Sequence, residues 1–292
     1  MTTSDHIVTA KHVVVVIGPT ASGKSALGVE IARGLGGEII NGDAYQLYRG
    51  MDVGTAKPTA SERSGVPHHL FDVLDVTQPA SVAEFQRDAR AAIAECHARG
   101  VTPVLVGGSS LYVRAVLDPL DFPGTEPEVR ARWQSLLDRG GPERLHALLT
   151  ERDPVAAAAI LPTNGRRLVR ALEVIEITGQ PFIATMPPHV SIYSHLTMLG
   201  LAVDREVLND RLSERVDRMW AAGLVDEVRG LREQGIEQGD TASRAIGYQQ
   251  VLAFLRGEIS EAQAKEDTVI ATRKFARRQE RLFRQDPRIH WL

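Results

Sequence analysis

The chain has 292 residues, of which 43% are hydrophobic and 24% are charged, and its formal net charge at pH 7 is −3. These values are typical of soluble globular proteins and exclude a chain that is disordered throughout. No stretch approaches the roughly 18 apolar residues that a membrane-spanning helix needs, so we expect no membrane association. Cys96 is the only cysteine, which excludes intramolecular disulfides and a cysteine-based zinc site and fits the reducing cytoplasm.

The N-terminus and the net charge each limit what kind of protein this can be. No apolar segment precedes the first predicted strand at residue 13, and we therefore expect no signal peptide. The slightly negative net charge gives the whole protein no attraction to nucleic acid, so any polyanionic partner must be held by a local basic patch.

The first third of the chain alternates predicted strands and helices. The strands are predicted at residues 13–18, 38–43 and 103–108, and the helices at 24–35, 82–99 and 109–117. The middle helix starts with a capping box, Ser81 to Glu84, in which the serine and the glutamate satisfy free backbone amides. This alternation predicts an α/β fold with a parallel sheet and helices on both faces.

The middle of the chain differs in pattern. After a break rich in proline, residues 126–179 have a helical pattern without a convincing strand. We therefore predict a mostly helical insertion domain at 121–195 and a core domain formed by 1–120 and 196–292. Within the second part of the core, we expect strands at 196–203 and 289–292 and helices at 205–222, 242–256 and 260–284.

A phosphate-binding loop follows the first predicted strand and starts the first predicted helix. Its residues are Gly18, Pro19, Thr20, Ala21, Ser22, Gly23, Lys24 and Ser25. In this P-loop pattern, backbone amides and the helix N-terminus surround phosphate groups. The pattern places Lys24 on the outer phosphate and the Ser25 hydroxyl on Mg²⁺. The loop predicts a nucleotide or another pyrophosphate-like ligand and does not by itself distinguish ATP from the alternatives.

The acid that a P-loop ATPase or kinase usually carries at the end of a second apolar strand is missing. Here the third predicted strand ends in Gly107 and Gly108, and Ser109 and Ser110 follow, so no acid stands there. Asp43 is the only acid that ends an early strand. This weakens a hydrolase interpretation and leaves Asp43 as the candidate base or metal partner.

The segment that follows, residues 43–58, is dense in polar and aromatic groups at a position where α/β sheets place ligands. It closely resembles the signature of the tRNA dimethylallyltransferase family, also called tRNA isopentenyltransferases. The resemblance extends over residues 13–292. Four further stretches carry it: Pro67-His68-His69-Leu70, Val106-Gly107-Gly108-Ser109-Ser110-Leu111-Tyr112, Asn164-Gly165-Arg166-Arg167-Leu168-Val169-Arg170-Ala171-Leu172-Glu173 and Ala245-Ile246-Gly247-Tyr248.

The resemblance implies a P-loop NTPase-like core and a Mg²⁺-dependent reaction. Dimethylallyl diphosphate donates its prenyl group to N6 of adenosine 37, next to the anticodon in the tRNA stem-loop, and diphosphate leaves. It implies that Asp43 orients the amine and accepts its proton, and that an arginine faces the diphosphate. Arg215 is weakly favoured over Arg211 for this role, and surface pairing with Glu214 or Asp217 is the alternative interpretation.

The resemblance also implies residues that contact the extruded base or its neighbours, namely Asp43, Ala44, Tyr45, Gln46 and Ser109. The candidate phosphate contacts in the insertion are Arg130, Arg166, Arg167 and Arg170. Residues 273–288 carry seven basic and two acidic side chains, with Arg277 and Arg281 in one stripe at helical spacing. A solvated helix face is the alternative for each basic set.

The roles of the histidines and tyrosines near the signature segment are not decided by the sequence. His68 and His69 have no partners at metal-ligand spacing, and we expect them to pack or to form hydrogen bonds near the site. Tyr45, Tyr48 and Tyr112 either stack on a base, line the prenyl pocket or pack in the core.

Three other functions remain alternatives. These are a kinase of a small molecule, a prenyltransferase of free adenine nucleotides and a non-catalytic RNA-binding module. The helical insertion and the basic stripe favour a macromolecular acceptor, and we expect a monomer.

Overall fold

The computed structural model describes residues 11–292, and the segment for which we expect no signal peptide lies outside the described residues. The described chain forms two compact units, one made of residues up to 119 and from 189 onward, the other of residues 120–188. No helix within 11–292 is both long and apolar enough to cross a bilayer.

The first unit is built on a six-stranded parallel sheet. Its strands are β1 (His12–Ile17), β2 (Glu38–Asn41), β3 (His68–His69), β4 (Pro103–Gly107), β5 (His195–Gly200) and β6 (Ile289–Trp291). Their order across the sheet is β3-β2-β4-β1-β5-β6, and every neighbouring pair is parallel. The short strand β3 has no counterpart among the predicted strands.

Ten α-helices accompany the sheet and the insertion within the described residues. They are α1 (Lys24–Leu35), α2 (Val82–Ala98), α3 (Ser110–Leu117), α4 (Pro127–Arg152), α5 (Pro154–Ala159), α6 (Gly165–Thr178), α7 (Arg205–Ala221), α8 (Leu224–Glu233), α9 (Tyr248–Leu255) and α10 (Glu261–Phe283). Helix α8 is missing from the sequence prediction. Helix α9 begins later than predicted, because residues 242–244 form a separate 3₁₀ turn.

Strand β1 shows why the sheet is covered on both faces. Its side chains alternate, so that Val13, Val15 and Ile17 pack with residues of α2 and α3. Val14 and Val16 pack with residues of α1 on the opposite face. Five consecutive residues of β1 are buried, as is typical of a central strand that is covered on both faces. The predicted fold class, a parallel sheet flanked by helices, is confirmed.

The second unit contains the helices α4, α5 and α6 and no strand in residues 120–188. Helix α4 is interrupted at Gly141, whose φ of 72° is left-handed, and Pro142 follows directly. The two halves of α4 and helix α6 enclose a core that includes the fully buried Leu145, Leu149 and Leu172. The chain returns to the first unit at residue 189, earlier than the predicted boundary, and the Ile192 amide donates to the Leu117 carbonyl.

Candidate active site

A pocket lies where the carboxyl ends of neighbouring parallel strands meet. The phosphate loop connects β1 to α1, Asp43 follows β2, and Gly107 ends β4. Because these strands run in the same direction, their following loops converge at one edge of the sheet. Lys24, Ser25 and Asp43 line this pocket together with Gln46 and Arg215. The sheet thus brings together side chains that are almost 200 residues apart.

The phosphate loop has a backbone suited to binding an anion. Gly23 caps α1 with a left-handed φ of 94°, and no acidic residue occupies the first turn of this helix. Ala21 also has a positive φ of 63°, which is unfavourable for a residue with a side chain. The buried Ser22 hydroxyl has no hydrogen-bond partner within the described residues. These features leave donors and a helix N-terminus available to phosphate oxygens.

Two cations and one carboxylate dominate the electrostatics of the pocket. Burial lowers the pKa of Lys24 to about 8; Asp43 opposes this change and Arg215 adds to it. Burial also lowers the pKa of the Arg215 guanidinium, again against the attraction of Asp43. The charges of these three groups therefore act on one another. An anionic ligand would relieve the repulsion between the two cations.

Asp43 is held in place by a turn at the end of β2. Its amide donates to Asn41 Oδ1 at 2.9 Å, and its Oδ1 accepts from the Tyr45 amide at 3.0 Å. Asn41 Nδ2 in turn donates to the carbonyl of Asp43 and to that of Leu70. Within the described residues, no hydrogen bond engages Oδ2 of Asp43. Asn41, which sequence reasoning missed, is the buried polar residue that fixes this turn.

The structure distinguishes the two candidate arginines of α7. Arg215 lines the pocket, and its Nη2 donates to the Thr55 carbonyl at 3.3 Å. Arg211 is exposed and lies one helical turn earlier, outside the lining of this pocket. Arg215 is thus the arginine placed to face a ligand held by the phosphate loop.

A carboxylate from α8 anchors the signature segment. Glu227 accepts hydrogen bonds from the consecutive amides of Asp52, Val53 and Gly54. It also accepts from the hydroxyl of the buried Tyr248 at 2.5 Å. Sequence reasoning missed Glu227, because no local pattern shows that a helix 173 residues away meets this loop. The anchored loop presents the Thr55 carbonyl to Arg215.

Gly54 is required by the close approach of this loop to Tyr248. A Cβ atom at position 54 would lie 2.4 Å from Cε2 of the Tyr248 ring. We expect Gly54→Ala to lower the free energy of unfolding by about 1–3 kcal/mol, measured by urea denaturation. Gly230→Ala is the matched control: a Cβ there meets no atom within 4 Å, and the change should stabilise α8 by roughly 0.5–1 kcal/mol. Equal effects of the two variants would contradict the close approach.

The other candidate base contacts differ in whether they line the pocket: Gln46 does, and Ala44, Tyr45 and Ser109 do not. Gln46 lines it and donates through Nε2 to the carbonyls of Thr55 and Ala56. Ala44 and Tyr45 are half-buried against hydrophobic clusters of the first unit. Ser109, also half-buried, is the N-cap residue of α3.

The aromatic residues divide between core and pocket. Tyr48 is fully buried and its hydroxyl donates to the Gln78 carbonyl, while Tyr112 packs on Phe85 with ring centroids 4.7 Å apart. Both therefore belong to the core. His68 lines the pocket, and its Nδ1 lies 2.8 Å from the Val66 carbonyl. Burial lowers the pKa of His68, and Nδ1 is the donor in this contact because the Val66 carbonyl can only accept.

A second cluster, formed by Glu38, His69 and Cys96, has three potential metal ligands within 4.8 Å of one another. Its chemistry does not fit a metal. Arg99 donates to both oxygens of Glu38, at 2.7 and 2.6 Å, and burial raises the pKa of the Cys96 thiol to about 11. His69 Nε2 lies 2.6 Å from the same carboxylate. The cluster is an ion pair between the buried Glu38 of β2 and the exposed Arg99, with His69 of β3 beside it.

Four side chains form the exposed basic stripe of α10, and we use this name for Lys274, Arg277, Arg278 and Arg281. Two other basic residues of the predicted patch are engaged elsewhere. Arg288 pairs with Asp118 and Asp286, and Arg273 donates to the Ser213 hydroxyl. Including Arg288 in the patch was therefore wrong, since its charge is matched by two buried carboxylates.

The arginines of the insertion also differ from one another. Arg130 and Arg170 both pair with Glu173, which is fully buried, and Arg170 also binds the Pro123 and Gly124 carbonyls. Arg167 donates to the Ala184 carbonyl. Arg166 is exposed and has no ion pair within the described residues. Spacing alone could not reveal these intramolecular partners.

Comparisons with known proteins agree with this geometry. The model of the IPP transferase family matches residues 46–286. A tRNA dimethylallyltransferase of Thermobifida fusca is 62% identical over 285 residues, which are 96% of this chain and 89% of the relative. That of Streptomyces coelicolor is 60% identical over 283 residues, 97% of this chain and 90% of the relative.

Two solved structures are similar over nearly the whole chain. The full-length tRNA isopentenylpyrophosphate transferase of Bacillus halodurans is 41% identical with a TM-score of 0.72, and the match covers 97% of this chain and 89% of that one. A eukaryotic dimethylallyltransferase acting on tRNA is 27% identical with a TM-score of 0.82, covering 97% of this chain and 74% of that one.

The fold and the pocket define a P-loop α/β protein whose phosphate-loop residues line a pocket at the carboxyl edge of its sheet. The matches also cover the insertion and most of the signature segment. The chain belongs to the IPP transferase family, as its sequence motifs predict.

Proposed function

We propose that this protein is a tRNA dimethylallyltransferase. It transfers the dimethylallyl group of dimethylallyl diphosphate to N6 of adenosine 37 in the anticodon stem-loop and releases diphosphate. The observation that carries the proposal is that Lys24, Asp43 and Arg215 line the same pocket. The identity of 62% to a tRNA dimethylallyltransferase supports the same reaction.

The donor half of the pocket suits a diphosphate leaving group. As the carbon–oxygen bond of the donor breaks, negative charge grows on the diphosphate and must be stabilised. Lys24 and Arg215 line the pocket and supply two positive charges, and backbone amides of the phosphate loop supply hydrogen bonds. Because these groups are already fixed in place, little reorganisation is needed when the charge develops.

The acceptor half of the pocket suits a weakly basic amine. The N6–carbon bond forms as the donor bond breaks, and one N6 proton must leave. Asp43 keeps Oδ1 on the Tyr45 amide, so that Oδ2 can orient the amine and take this proton. A stacked adenine exposes N6 poorly, so the base must leave its stack to reach the pocket.

The Ser25 hydroxyl of the pocket also fits Mg²⁺ as a ligand. This ion prefers oxygen ligands and binds through few protein groups, with water and substrate phosphates filling the remaining positions. The Ser25 hydroxyl lines the pocket, and it makes no hydrogen bond within the described residues. Ser25 would hold the ion against the diphosphate, and the ion would neutralise charge on the leaving group.

The exposed basic stripe of α10 is the proposed contact to the tRNA backbone, with Arg166 as a further phosphate contact from the insertion. Arg130, Arg167 and Arg170 have intramolecular partners, so any phosphate contact that they make is shared with those partners. Action in the cytoplasm agrees with the buried free thiol of Cys96. The monomeric state stays a prediction that analytical ultracentrifugation can check.

Charge reversal tests the stripe directly. We expect the double variant Arg277→Glu and Arg281→Glu to weaken tRNA binding about tenfold or more at low salt. The dependence of log affinity on log salt should become shallower by about 0.7–0.9 for each lost phosphate contact. The matched control reverses two exposed arginines outside the stripe, Arg33 and Arg87. If both double variants bind tRNA alike, the stripe is only a solvated helix face.

A product assay decides among the functions that the sequence left open. The protein is incubated with dimethylallyl diphosphate and unmodified tRNA, and the nucleosides are analysed by mass. The proposal requires an adenosine that is heavier by one dimethylallyl group. Parallel reactions with AMP as the acceptor and with labelled ATP test the free-nucleotide and kinase alternatives. Product on AMP alone, or phosphate transfer without prenylation, would contradict the proposal.

A further inference from the structure

Gln279 of α10 contacts the phosphate loop from the buried side of the helix. Its side chain is 4% exposed and lies between two backbone segments of the pocket edge. The Thr20 amide donates to its Oε1 at 2.9 Å, and its Nε2 donates to the Gly108 carbonyl at 2.8 Å. Gln279 therefore joins the loop after β1 to the loop after β4.

We propose that Gln279 is a positioning residue that fixes the phosphate loop for diphosphate binding, an inference that rests on the proposed function of this loop. It makes no contact with the reacting atoms in this role. It acts through its hydrogen bonds to two backbone groups. Thr20 lies in the phosphate loop, and Gly108 lies in the neighbouring loop after β4.

The chemistry of the bridge calls for a primary amide. One backbone partner is a donor and the other an acceptor, so the side chain must offer both an oxygen and an N–H group. A carboxylate would accept from Thr20 but would place negative charge against the Gly108 carbonyl. An apolar side chain would leave two buried backbone groups without partners, which is costly.

The space around Gly108 shows how closely the bridge is fitted. A Cβ atom at position 108 would lie 2.3 Å from Gln279 Nε2. Glycine at this position therefore lets the backbone approach the amide group. Gly108→Ala would displace the same hydrogen bond without changing Gln279 itself.

The loop needs external support because part of it is strained. Ala21, next to Thr20, has a left-handed φ of 63°, a conformation that is unfavourable for a residue with a side chain. Such backbone persists only where surrounding contacts enforce it. Ala21 packs against a cluster of Leu208, Leu212 and Ala276, and Gln279 holds the preceding residue. Two contacts from α7 and α10 therefore maintain the strained conformation.

The test compares Gln279→Leu and Gln279→Glu with the control Gln285→Leu, an exposed glutamine just beyond α10. Pyrophosphate affinity is measured by calorimetry, and steady-state kinetics give kcat and the KM values for donor and tRNA. We expect both Gln279 variants to bind pyrophosphate about tenfold more weakly and to show a raised donor KM. The tRNA KM should not change, and the control should resemble the wild type.

The kinetic pattern separates positioning from a general loss of structure. A merely structural role would lower the folded fraction and hence kcat, with both KM values unchanged. Gly108→Ala provides a second variant in case Gln279→Leu folds poorly, and it should also raise the donor KM. Wild-type pyrophosphate affinity in Gln279→Leu would overturn this inference alone. If the wild-type protein itself does not bind pyrophosphate, the proposed function fails and this inference fails with it.

Discussion

Replacement of Asp43 by alanine is expected to lower the turnover number for prenyl transfer by about 10²–10⁴-fold, the usual contribution of a positioned proton acceptor. Asp43 lines the pocket, and one of its oxygens is fixed by the Tyr45 amide. Without the carboxylate, the amine loses both its orientation and the acceptor of its proton. Single-turnover kinetics with saturating donor and tRNA measure the effect.

The affinity for tRNA should largely persist in this variant, because phosphate contacts outside the pocket supply most of the binding energy. Asp43→Asn separates orientation from proton acceptance, since the amide can still accept a hydrogen bond but is a very weak base. Asp75→Ala removes an exposed carboxylate that pairs with Arg49 and is the matched control. Unchanged turnover in Asp43→Ala would remove Asp43 from the mechanism.

Replacement of Lys24 by alanine is expected to weaken binding of dimethylallyl diphosphate by about 1.5–3 kcal/mol, the range for hydrogen bonds to charged groups. Lys24 lines the pocket together with Arg215, and its loss removes one of the two cations of this lining. Calorimetry with the donor measures the affinity. Lys265→Ala, which removes a lysine paired with Asp217, is the control. Equal donor affinity in Lys24→Ala and the wild type would contradict the role of the loop.

The pH dependence of donor affinity adds a second readout for Lys24. Its pKa in the free protein is lowered to about 8 by burial, and only the protonated amine carries the charge that attracts diphosphate. Affinity should therefore be at its plateau below pH 8 and should fall about tenfold per unit as the pH rises above it. Lys24→Arg keeps its proton throughout this range and should not show the fall. Comparison of the two proteins in the same buffers cancels the titration of the ligand itself.

The sequence predicts those parts of the site that depend on local pattern. The glycines, Lys24 and Ser25 of the phosphate loop follow a fixed spacing after a β-branched strand. The structure places the glycines between β1 and α1, and Lys24 and Ser25 in the first turn of α1. Alternating strands and helices likewise predict the parallel sheet. The signature motif indicates that Asp43 belongs to the site, although spacing alone does not show which turn holds it.

The remaining parts depend on contacts between distant segments. Glu227 and Gln279 look like ordinary helix residues in the sequence, and their roles follow only from their contacts with Gly54 and Thr20. The sequence predicts Arg170 and Arg288 as basic residues available to a partner, but they form ion pairs within the protein. These pairs also could not be predicted from local spacing. A helix pattern shows which face is polar, but it does not show which carboxylate that face will meet.

The discontinuous first unit has a consequence for the order in which the chain folds during its synthesis. Residues 120–188 form a contiguous unit, whereas the sheet needs β5 and β6 from the last third of the chain. The buried Asp118 stays without its Arg288 partner until 170 further residues have been added. The helical insertion can therefore complete its core on the ribosome while the sheet still lacks one edge. All residues of the second unit are thus synthesised before the last two strands of the sheet exist.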